Sequence, residues 1–359
     1  MQSDERIHKT ISSKQNTKKT ILITGGAGFI GSNFVKYIYN KYPDWHILVL
    51  DALTYAGNPE NIPLEIRESS RFEFWYGSVT QPAIVNKLVP RSDIIVHFAA
   101  ETHVARSIYD NSKFFETDVI GTQIMMNAAE EHQKLERFIH ISTSEVYGTA
   151  VTDPMNETHP LDPTSPYAAA KCGADRLVYS YMQTYKYIPA LIIRPFNNYG
   201  PNQHLEKLIP RLITNALQDK NLRIYGDGLN SRDWIFVEDT CEAIDTAIQA
   251  DIEDVKGQIF NIGTGRDISV EDVAKIILKN IEKPETLIIK IPERPGEVRR
   301  HISSTEKAEK ILNFKAKTNF SEGIQKTIDW YKINNPWWKK LEWMKEVPIK
   351  LRDGQIVMY

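Results

Sequence analysis

Short runs of apolar and β-branched residues alternate with segments of helical periodicity along the first half of the chain. The runs occupy residues 21–24, 47–50, 94–98, 138–142 and 190–193. Strands that are apolar throughout are typical of a parallel sheet with helices on both faces, because neither side of such a strand meets water. The pattern therefore predicts an α/β fold built on a doubly wound parallel sheet.

The alternation ends near residue 195, and the chain beyond it is richer in proline, glycine and asparagine. Isolated strand patterns remain at 222–225 and 258–262. These features predict a smaller, loop-rich C-terminal lobe. An aromatic cluster near the end of the chain predicts a helix packed on the body of the protein: Trp330, Tyr331, Trp337, Trp338 and Trp343.

The pattern divides the chain into a leader over 1–19, a sheet domain over 20–195 to which some later segments return, a lobe over 196–345 and a tail over 346–359. The leader is polar and mixed in charge, with Ile7 and Ile11 as its only strongly apolar residues. We therefore expect it to be disordered and not a signal peptide. No run of about 18 apolar residues occurs anywhere, which predicts no membrane-spanning segment.

Composition narrows the class of partner. The 359 residues carry 44 basic and 46 acidic side chains, so the net charge of −2 gives no positive field for nucleic acid or an anionic membrane. Two cysteines, Cys172 and Cys241, are too few for a disulfide scaffold and indicate the reducing cytoplasm. No cluster of side chains has metal-ligand spacing, so we predict no metal site.

His97 and His140 lie in apolar strands and are expected to be core residues with satisfied ring nitrogens.

Three glycines directly follow the first strand. Gly25, Gly28 and Gly31 open a helix, where glycine lets the backbone approach a pyrophosphate at the positive helix end. Asp51 ends the second strand, 20 residues beyond Gly31, where a carboxylate accepts hydrogen bonds from an adenosine ribose. The same carboxylate would repel a ribose 2′-phosphate. The motif therefore predicts a Rossmann sheet that binds NAD in preference to NADP.

A tyrosine and a lysine are spaced for one helix face. Tyr167 and Lys171 stand four residues apart in a segment that Ser165 and Pro166 begin. An ammonium near a phenol favours the phenolate, so Tyr167 can take the hydroxyl proton of an alcohol while hydride leaves for the nicotinamide. Lys171 can also hold the nicotinamide ribose.

Further polar residues follow the fourth of the apolar runs. Thr143, Ser144 and Glu145 come after residues 138–142, at the carboxyl edge of the sheet, where open α/β sheets bind ligands. Thr143 can hydrogen-bond the reacting hydroxyl beside Tyr167, and Glu145 can move a second proton. The alternative is that Thr143 and Ser144 cap the next segment and that Glu145 is a solvated acid at a helix start.

Longer motifs carry a family resemblance. They are TGGAGFIG at 24–31, DALTYAGN at 51–58, AAETHV at 99–104, NNYGP at 197–201, EKLIP at 206–210, YGDG at 225–228, RDW at 232–234 and RPG at 294–296. With them the chain resembles the extended short-chain dehydrogenase/reductases of nucleotide sugars, and within that group the dTDP-glucose 4,6-dehydratases. The likeness runs over about residues 19–338.

The resemblance implies an NAD-dependent lyase, with NAD bound by the 20–195 domain and a nucleotide-diphosphate sugar bound mainly by the 196–345 lobe. The implied cofactor contacts are Gly25, Gly28, Phe29, Ile30, Gly31, Asp51, Ala99, Tyr167 and Lys171. The implied substrate contacts are Glu101, His103, Asn198, Glu206, Lys207, Leu208, Tyr225, Arg232, Asn261 and Arg300.

The resemblance also implies roles for the catalytic residues. Thr143, Tyr167 and Lys171 oxidise the C4 hydroxyl, Glu145 removes the C5 proton, water leaves from C6, and hydride returns to C6. Family members usually place an aspartate before the catalytic glutamate, to protonate the departing hydroxyl, whereas this chain has Ser144. The proton must then come from Glu145, a bound water or a serine-relayed network. GDP-mannose 4,6-dehydratases are similar here, with Thr-Ser-Glu, so the serine is compatible with dehydration.

Other activities fit the same motifs. A UDP-N-acetylglucosamine or UDP-glucose 4,6-dehydratase is compatible with all of them. A UDP-glucuronate decarboxylase begins with the same oxidation and needs a cation at the C6 carboxylate, for which Arg106 and Arg232 are candidates, although Glu206 would repel that carboxylate. A non-catalytic NAD-binding scaffold is the remote alternative, and it predicts decay of the catalytic residues, which are all present.

The resemblance also bears on assembly. Relatives commonly form homodimers through a four-helix interface, which corresponds here to helices near 112–132 and 166–185. The apolar residues of the second helix fit that interface or the intramolecular core equally: Leu177, Val178, Tyr181 and Met182.

Overall fold

A seven-stranded sheet forms the centre of the protein in the computed structural model, which describes residues 18–292, 298–350 and 356–358. Nearly all of the expected leader, and the RPG motif, lie outside the described residues. The strands are β1 (Thr20–Thr24), β2 (His46–Asp51), β3 (Phe72–Tyr76), β4 (Ile94–His97), β5 (Arg137–Ile141), β6 (Ala190–Pro195), β7 (Asn197–Tyr199), β8 (Leu222–Tyr225), β9 (Ser231–Phe236), β10 (Ile259–Ile262), β11 (Asp267–Ser269), β12 (Ile288–Ile291), β13 (Pro348–Lys350) and β14 (Ile356–Met358).

Helices connect the strands and cover both faces of the sheet. The α-helices are α1 (Phe29–Lys41), α2 (Leu64–Arg67), α3 (Pro82–Leu88), α4 (Val104–Tyr109), α5 (Ser112–Phe114), α6 (Thr122–Glu131), α7 (Pro166–Thr184), α8 (Leu208–Ala216), α9 (Val237–Gln249), α10 (Ile252–Val255), α11 (Val270–Ile281), α12 (Glu306–Leu312), α13 (Phe320–Ile333) and α14 (Asn335–Lys339). A π-helical segment spans Phe115–Gly121, and short 3₁₀ helices span Pro59–Asn61, Val89–Arg91, Ser144–Tyr147, Glu285–Leu287 and Glu342–Met344.

The central sheet has the order β10-β6-β5-β4-β1-β2-β3 and is parallel throughout. Ile21 and Ile23 pack into one apolar cluster and Leu22 into another, because successive side chains of a strand point to opposite faces. The predicted doubly wound parallel sheet is confirmed.

Two strands differ from the sequence-based expectation. The pattern of apolar runs does not predict β3, because it is an edge strand whose side chains are mostly half-buried and whose Tyr76 is 73% exposed. The strand pattern at 258–262 was expected in the lobe, but β10 pairs with β6 and belongs to the central sheet. It is one of the later segments that return to the first domain.

The buried histidines behave differently from each other. The ring nitrogens of His97 lie 2.7 Å from the Thr24 hydroxyl and 3.0 Å from the Thr122 hydroxyl, as expected of a satisfied core residue. His140 is equally buried, yet neither ring nitrogen has a partner among the described residues. His140 is thus a core residue as expected, but the expectation that its ring nitrogens are satisfied was wrong.

The smaller lobe has its own core. It contains a three-stranded sheet in the order β11-β9-β7 and the parallel pair β12-β8, packed against helices α8, α11 and α13. Most of the aromatic cluster is buried in this core, as predicted, but Trp343 is 80% exposed. The described part of the tail forms the antiparallel pair β13-β14. Within the described residues, no helix is both long and apolar enough to cross a bilayer.

The last helices reach back to the first loop of the sheet domain. The indole Nε1 of Trp337 donates to Oδ1 of Asn61 at 2.9 Å, and Nδ2 of Asn61 donates to the Ala27 carbonyl at 2.8 Å. Asn58 donates a backbone hydrogen bond to the same carbonyl at 3.0 Å. Ala27 lies inside the glycine-rich turn, so this turn is tied to a segment more than 300 residues further along the chain.

Candidate active site

The glycine-rich turn between β1 and α1 opens onto a cavity of about 440 Å³. Gly25 has a φ of +69°, and a Cβ there would lie 2.8 Å from the Ala99 backbone nitrogen. A Cβ on Gly31 would lie 2.3 Å from the Gly25 carbonyl oxygen. Only glycine therefore permits this turn.

The start of α1 suits an anion. The first turn of α1 contains no acidic side chain, and its N-cap, Gly28, has no side chain that could accept a hydrogen bond. Neither a carboxylate of the first turn nor a capping side chain therefore competes with a bound anion for the first backbone N–H groups. Gly28, Phe29, Ile30 and Gly31 all line the cavity. Free N–H groups at a positive helix end fit the pyrophosphate of a dinucleotide.

Asp51, at the end of β2, lines the same cavity and contacts the glycine-rich turn. Its carboxylate accepts hydrogen bonds from the backbone N–H groups of Ala27 at 2.9 Å and Leu53 at 2.8 Å. Burial raises the pKa of this carboxyl group, whereas both hydrogen bonds lower it. Each oxygen keeps a lone pair that can accept from a ribose hydroxyl. All nine residues expected to contact the cofactor line this cavity, so the residues present fit NAD.

Thr143 follows β5 and begins the short 3₁₀ helix Ser144–Tyr147. Its hydroxyl oxygen accepts a hydrogen bond from the Glu145 backbone N–H at 3.2 Å, so the capping alternative holds for Thr143. Capping does not prevent a role in ligand binding, because Thr143, Ser144 and Glu145 also line a second cavity of about 310 Å³. The 3₁₀ turn thus presents a hydroxyl and a carboxylate to that cavity.

Tyr167 lies where the two cavities meet. It lines both of them, near the start of α7, whose N-cap Ser165 accepts from the Ala168 N–H at 3.2 Å. Burial raises the pKa of the phenol, the charge of Glu145 raises it further, and an interaction with the Thr143 hydroxyl lowers it. A group at this position can exchange a proton with a ligand in either cavity.

Lys171 lines the cofactor cavity only. Its ammonium is buried and donates to the Ile141 carbonyl at 2.8 Å. Burial lowers the pKa of Lys171, and the carboxylates of Asp118 and Asp175 raise it. We expected Lys171 to ease ionisation of Tyr167, but burial and then the charge of Glu145 raise the pKa of that phenol.

Most of the residues expected to contact substrate surround the second cavity. They are His103, Asn198, Glu206, Lys207, Leu208, Tyr225 and Arg232. Glu101 lines the cofactor cavity instead, where its backbone N–H donates to Asp118 at 2.7 Å. Glu206 lines both cavities and is ion-paired with Arg106 at 2.8 Å.

Two of the expected substrate contacts lie elsewhere. Asn261 is fully buried and uses both ends of its amide, accepting from Tyr147 at 2.7 Å and donating to Met155 at 3.1 Å. Arg300 forms a bidentate ion pair with Asp267 at 2.7 and 3.0 Å and also pairs with Asp153. Neither lines the cavity, so this structure does not support them as substrate contacts.

Sequence analysis missed other residues that line the second cavity, including Gln203, Arg211, Asn230 and Trp234. Arg211 follows Lys207 by one helical turn on α8, and the guanidinium lies 5.6 Å from the centre of the Tyr225 ring. Its spacing from Lys207 was a usable signal, because residues four apart share a helix face. Trp234 belongs to the RDW motif at 232–234 but was given no role of its own, and Gln203 and Asn230 carry no local pattern that sets them apart.

Comparison with known proteins agrees with this geometry. The profile of the family described as GDP-mannose 4,6 dehydratase matches residues 22–327. The chain belongs to this family. Among its curated relatives, a dTDP-glucose 4,6-dehydratase from Actinoplanes sp. is 38% identical over 89% of this chain and 99% of its own length. The low-salt glycan biosynthesis protein Agl12 of Haloferax volcanii is 41% identical over 87% of this chain and 98% of its own.

A solved dTDP-glucose 4,6-dehydratase has the same fold. The dTDP-glucose 4,6-dehydratase DesIV of Streptomyces venezuelae, crystallised with NAD, superposes with a TM-score of 0.85. It is 38% identical and covers 90% of this chain and 100% of its own. The family and the cofactor expected from the motifs are thereby confirmed.

In the present protein a buried ion pair supports the 3₁₀ helix Ser144–Tyr147. Arg194 on β6 donates to both carboxylate oxygens of Asp175 on α7, each at 2.8 Å, and both side chains are fully buried. Arg194 also donates to the Tyr147 hydroxyl at 2.9 Å, and Tyr147 ends the 3₁₀ helix that carries Glu145. The pair therefore fixes α7 and this 3₁₀ helix relative to each other.

Proposed function

We propose that the protein is an NAD-dependent nucleotide-sugar 4,6-dehydratase that acts on a neutral hexose, with dTDP-glucose as its substrate. The product is then a 4-keto-6-deoxy sugar nucleotide. One observation carries the proposal: Tyr167 lies where the cofactor cavity meets a second cavity that also contains Thr143 and Glu145. Oxidation and elimination need these groups at one sugar ring.

In the proposed reaction Tyr167 and Glu145 each take one proton from the sugar. When bound, NAD supplies the oxidant for C4 and the hydride that C6 finally receives. Tyr167 takes the C4 hydroxyl proton, with Thr143 orienting that hydroxyl. The resulting ketone acidifies C5–H, so Glu145 takes the C5 proton, the C–H electron pair forms the C5=C6 bond, and the C6 hydroxyl leaves with one proton as water. When hydride returns to C6, the C5=C6 electron pair moves to C5, and C5 takes one proton, which balances the C4 hydroxyl proton that Tyr167 removed.

The cationic side chains that line the second cavity fit a diphosphate ligand. Lys207, Arg211 and Arg232 bring three cationic groups to its lining, where they can pair with the two phosphates. Tyr225 offers a ring beside Arg211 for a base or sugar to pack on. This charge distribution fits a nucleotide sugar better than an uncharged sugar.

An ion pair favours a neutral hexose over a uronate. Arg106 was a candidate partner for a C6 carboxylate, but its Nε donates to Glu206 at 2.8 Å. The Glu206 side chain is fully buried, so breaking the pair to bind a uronate would leave a buried carboxylate without its cation. The pair therefore favours dehydration over decarboxylation of UDP-glucuronate.

We further propose a cytoplasmic homodimer. Both cysteines are free, which fits a reducing compartment. Phe115, Ile120 and Tyr179 are 43%, 48% and 37% exposed on the π-helical segment and α7, the region that relatives use for dimerisation. Val178 and Met182 belong to the intramolecular core instead. Analytical ultracentrifugation should give a dimer for the native chain and a monomer for Ile120→Asp; a native monomer would contradict this assignment.

Product analysis tests the proposed reaction. The purified protein is incubated in parallel with dTDP-glucose, UDP-glucose, UDP-N-acetylglucosamine and UDP-glucuronate, and the product masses are measured. Loss of water, fastest from dTDP-glucose, is the expected result. Loss of carbon dioxide from the uronate would replace the proposal with a decarboxylase, and no turnover of any substrate would favour the non-catalytic scaffold.

A further inference from the structure

A buried histidine lies directly behind the catalytic carboxylate. His301 is completely buried, and its Nε2 lies 2.7 Å from the Gly148 carbonyl oxygen. A carbonyl only accepts hydrogen bonds, so Nε2 carries the ring proton. Burial lowers the pKa of this imidazole, although the charge of Glu145 raises it. The ring is therefore neutral, and Nδ1 carries a lone pair.

Glu145 lies close to that nitrogen. Nδ1 of His301 lies 4.0 Å from Oε1 of Glu145 and has no hydrogen-bond partner within the part of the chain that the structure describes. An ionised carboxylate has no proton to donate to it, whereas a protonated one does. A shift of about 1 Å would bring the two atoms to hydrogen-bond distance, and catalytic contacts often tighten by this much when substrate binds.

His301 is held where it can act only through Glu145. Its backbone N–H donates to Ser231 at 3.1 Å, and its ring meets the edge of Phe196 with centres 6.3 Å apart. It lines neither the cofactor cavity nor the substrate cavity. It is therefore a positioning residue and cannot itself contact the sugar.

The residue before Glu145, Ser144, leaves the elimination without its usual proton donor. Ser144 is 2% exposed and stands where dTDP-glucose 4,6-dehydratases usually have an acidic residue that protonates the departing C6 hydroxyl. A serine hydroxyl is too weak an acid for that step. Glu145 is then the nearest group that can both take the C5 proton and return it to the leaving oxygen.

We propose that His301 holds Glu145 in its protonated form between these two transfers, by accepting a hydrogen bond from the carboxyl group at Nδ1. This inference rests on the proposed function and adds a residue to it. Stabilising the acid form makes the carboxylate a stronger base toward C5–H. The C5 proton moves to Glu145 and then to O6, the C6–O bond breaks, and water leaves, so no second acid is needed.

Two substitutions separate the roles of the two ring nitrogens. His301→Gln can keep a donor near the Nε2 position for Gly148 but lacks an acceptor at the Nδ1 position. His301→Asn places its amide oxygen near the Nδ1 position and lacks the donor to Gly148. We expect His301→Gln to slow elimination by about tenfold to a hundredfold, the effect of one hydrogen bond to an ionisable group, and His301→Asn to slow it less.

The assay follows a single turnover of dTDP-glucose by the NAD-loaded protein. Absorbance of the reduced nicotinamide should rise at the native rate in His301→Gln and then decay slowly, with less exchange of the C5 proton for solvent deuterium. Ser144→Asp, which installs the usual acid, should restore the decay in the His301→Gln protein.

Three results would overturn the inference: native decay in His301→Gln, equal slowing in both His301 variants, or equal slowing of rise and decay. Glu145→Gln tests the proposed function separately, because it should show the rise with no decay. If Glu145→Gln turns over normally, the proposed function fails and not only the role of His301.

Discussion

Replacing Asp175 with asparagine should lower the free energy of unfolding by about 3–5 kcal/mol, because it leaves the charge of Arg194 buried without a partner. Asp175 is fully buried and Arg194 is 1% exposed, so water cannot take over the two hydrogen bonds of 2.8 Å. At roughly 2.1 cal/mol/K of unfolding entropy per residue, the 359 residues give about 0.75 kcal/mol/K. The melting temperature should therefore fall by about 4–7 °C.

Urea unfolding followed by circular dichroism measures this loss. Arg176→Met is the matched control, because Arg176 pairs with the same carboxylate but its side chain is 38% exposed. Its removal should cost less than about 1 kcal/mol. If Asp175→Asn unfolds at the native urea concentration, or if Arg176→Met is equally destabilising, burial is not what makes the Arg194 pair strong.

The same pair predicts a dependence of stability on pH. Burial by itself raises the pKa of Asp175, but the hydrogen bonds and charge of Arg194 outweigh it and hold this pKa well below the usual range. A carboxyl group whose pKa is lower in the folded state stabilises the fold above its unfolded value of about 4, and that contribution is lost as the pH falls below it. The difference in stability between the native protein and Asp175→Asn should therefore shrink in acid.

Three further predictions concern the active site and its cofactor. Tyr167→Phe should reduce turnover by about a hundredfold or more while the protein still binds NAD, and Tyr179→Phe, an exposed tyrosine on the same helix, should keep native turnover; native activity in Tyr167→Phe would contradict its role. Thr143→Val should move the acidic limb of the kcat/KM profile to higher pH, because it removes a group that lowers the pKa of the phenol; an unmoved limb would show that another group titrates. Trp337→Phe should destabilise the fold by about 1 kcal/mol and speed NAD release in stopped flow, whereas Trp343→Phe should change neither.

Local sequence patterns were sufficient for the sheet and for the cofactor site. Apolar runs predict strands because a strand buried on both faces excludes polar residues, and the spacing of Gly25, Gly28 and Gly31 is set by backbone contacts that no side chain permits. The pattern did not predict β3, which is half-exposed and lies at the edge of the sheet. Edge strands carry less of the signal on which such predictions depend.

Side-chain partners were harder to predict, because the fold and not the local sequence chooses them. Arg300 was expected at the substrate but pairs with Asp267, 33 residues away. Arg106 was considered as a ligand for a uronate, yet it is held by Glu206, 100 residues away. His301 has no motif around it, and only the folded chain places it 4.0 Å from Glu145.

The contact from Trp337 through Asn61 to Ala27 has a consequence for how the protein is made. The dinucleotide turn leaves the ribosome well before the indole that anchors it, because Trp337 lies more than 300 residues after Ala27. A nascent polypeptide can thus form the central sheet early while its cofactor turn stays unanchored. Loading with NAD should be completed only after Trp337 has emerged and packed, and polypeptides truncated before Trp337 should be isolated with little nucleotide.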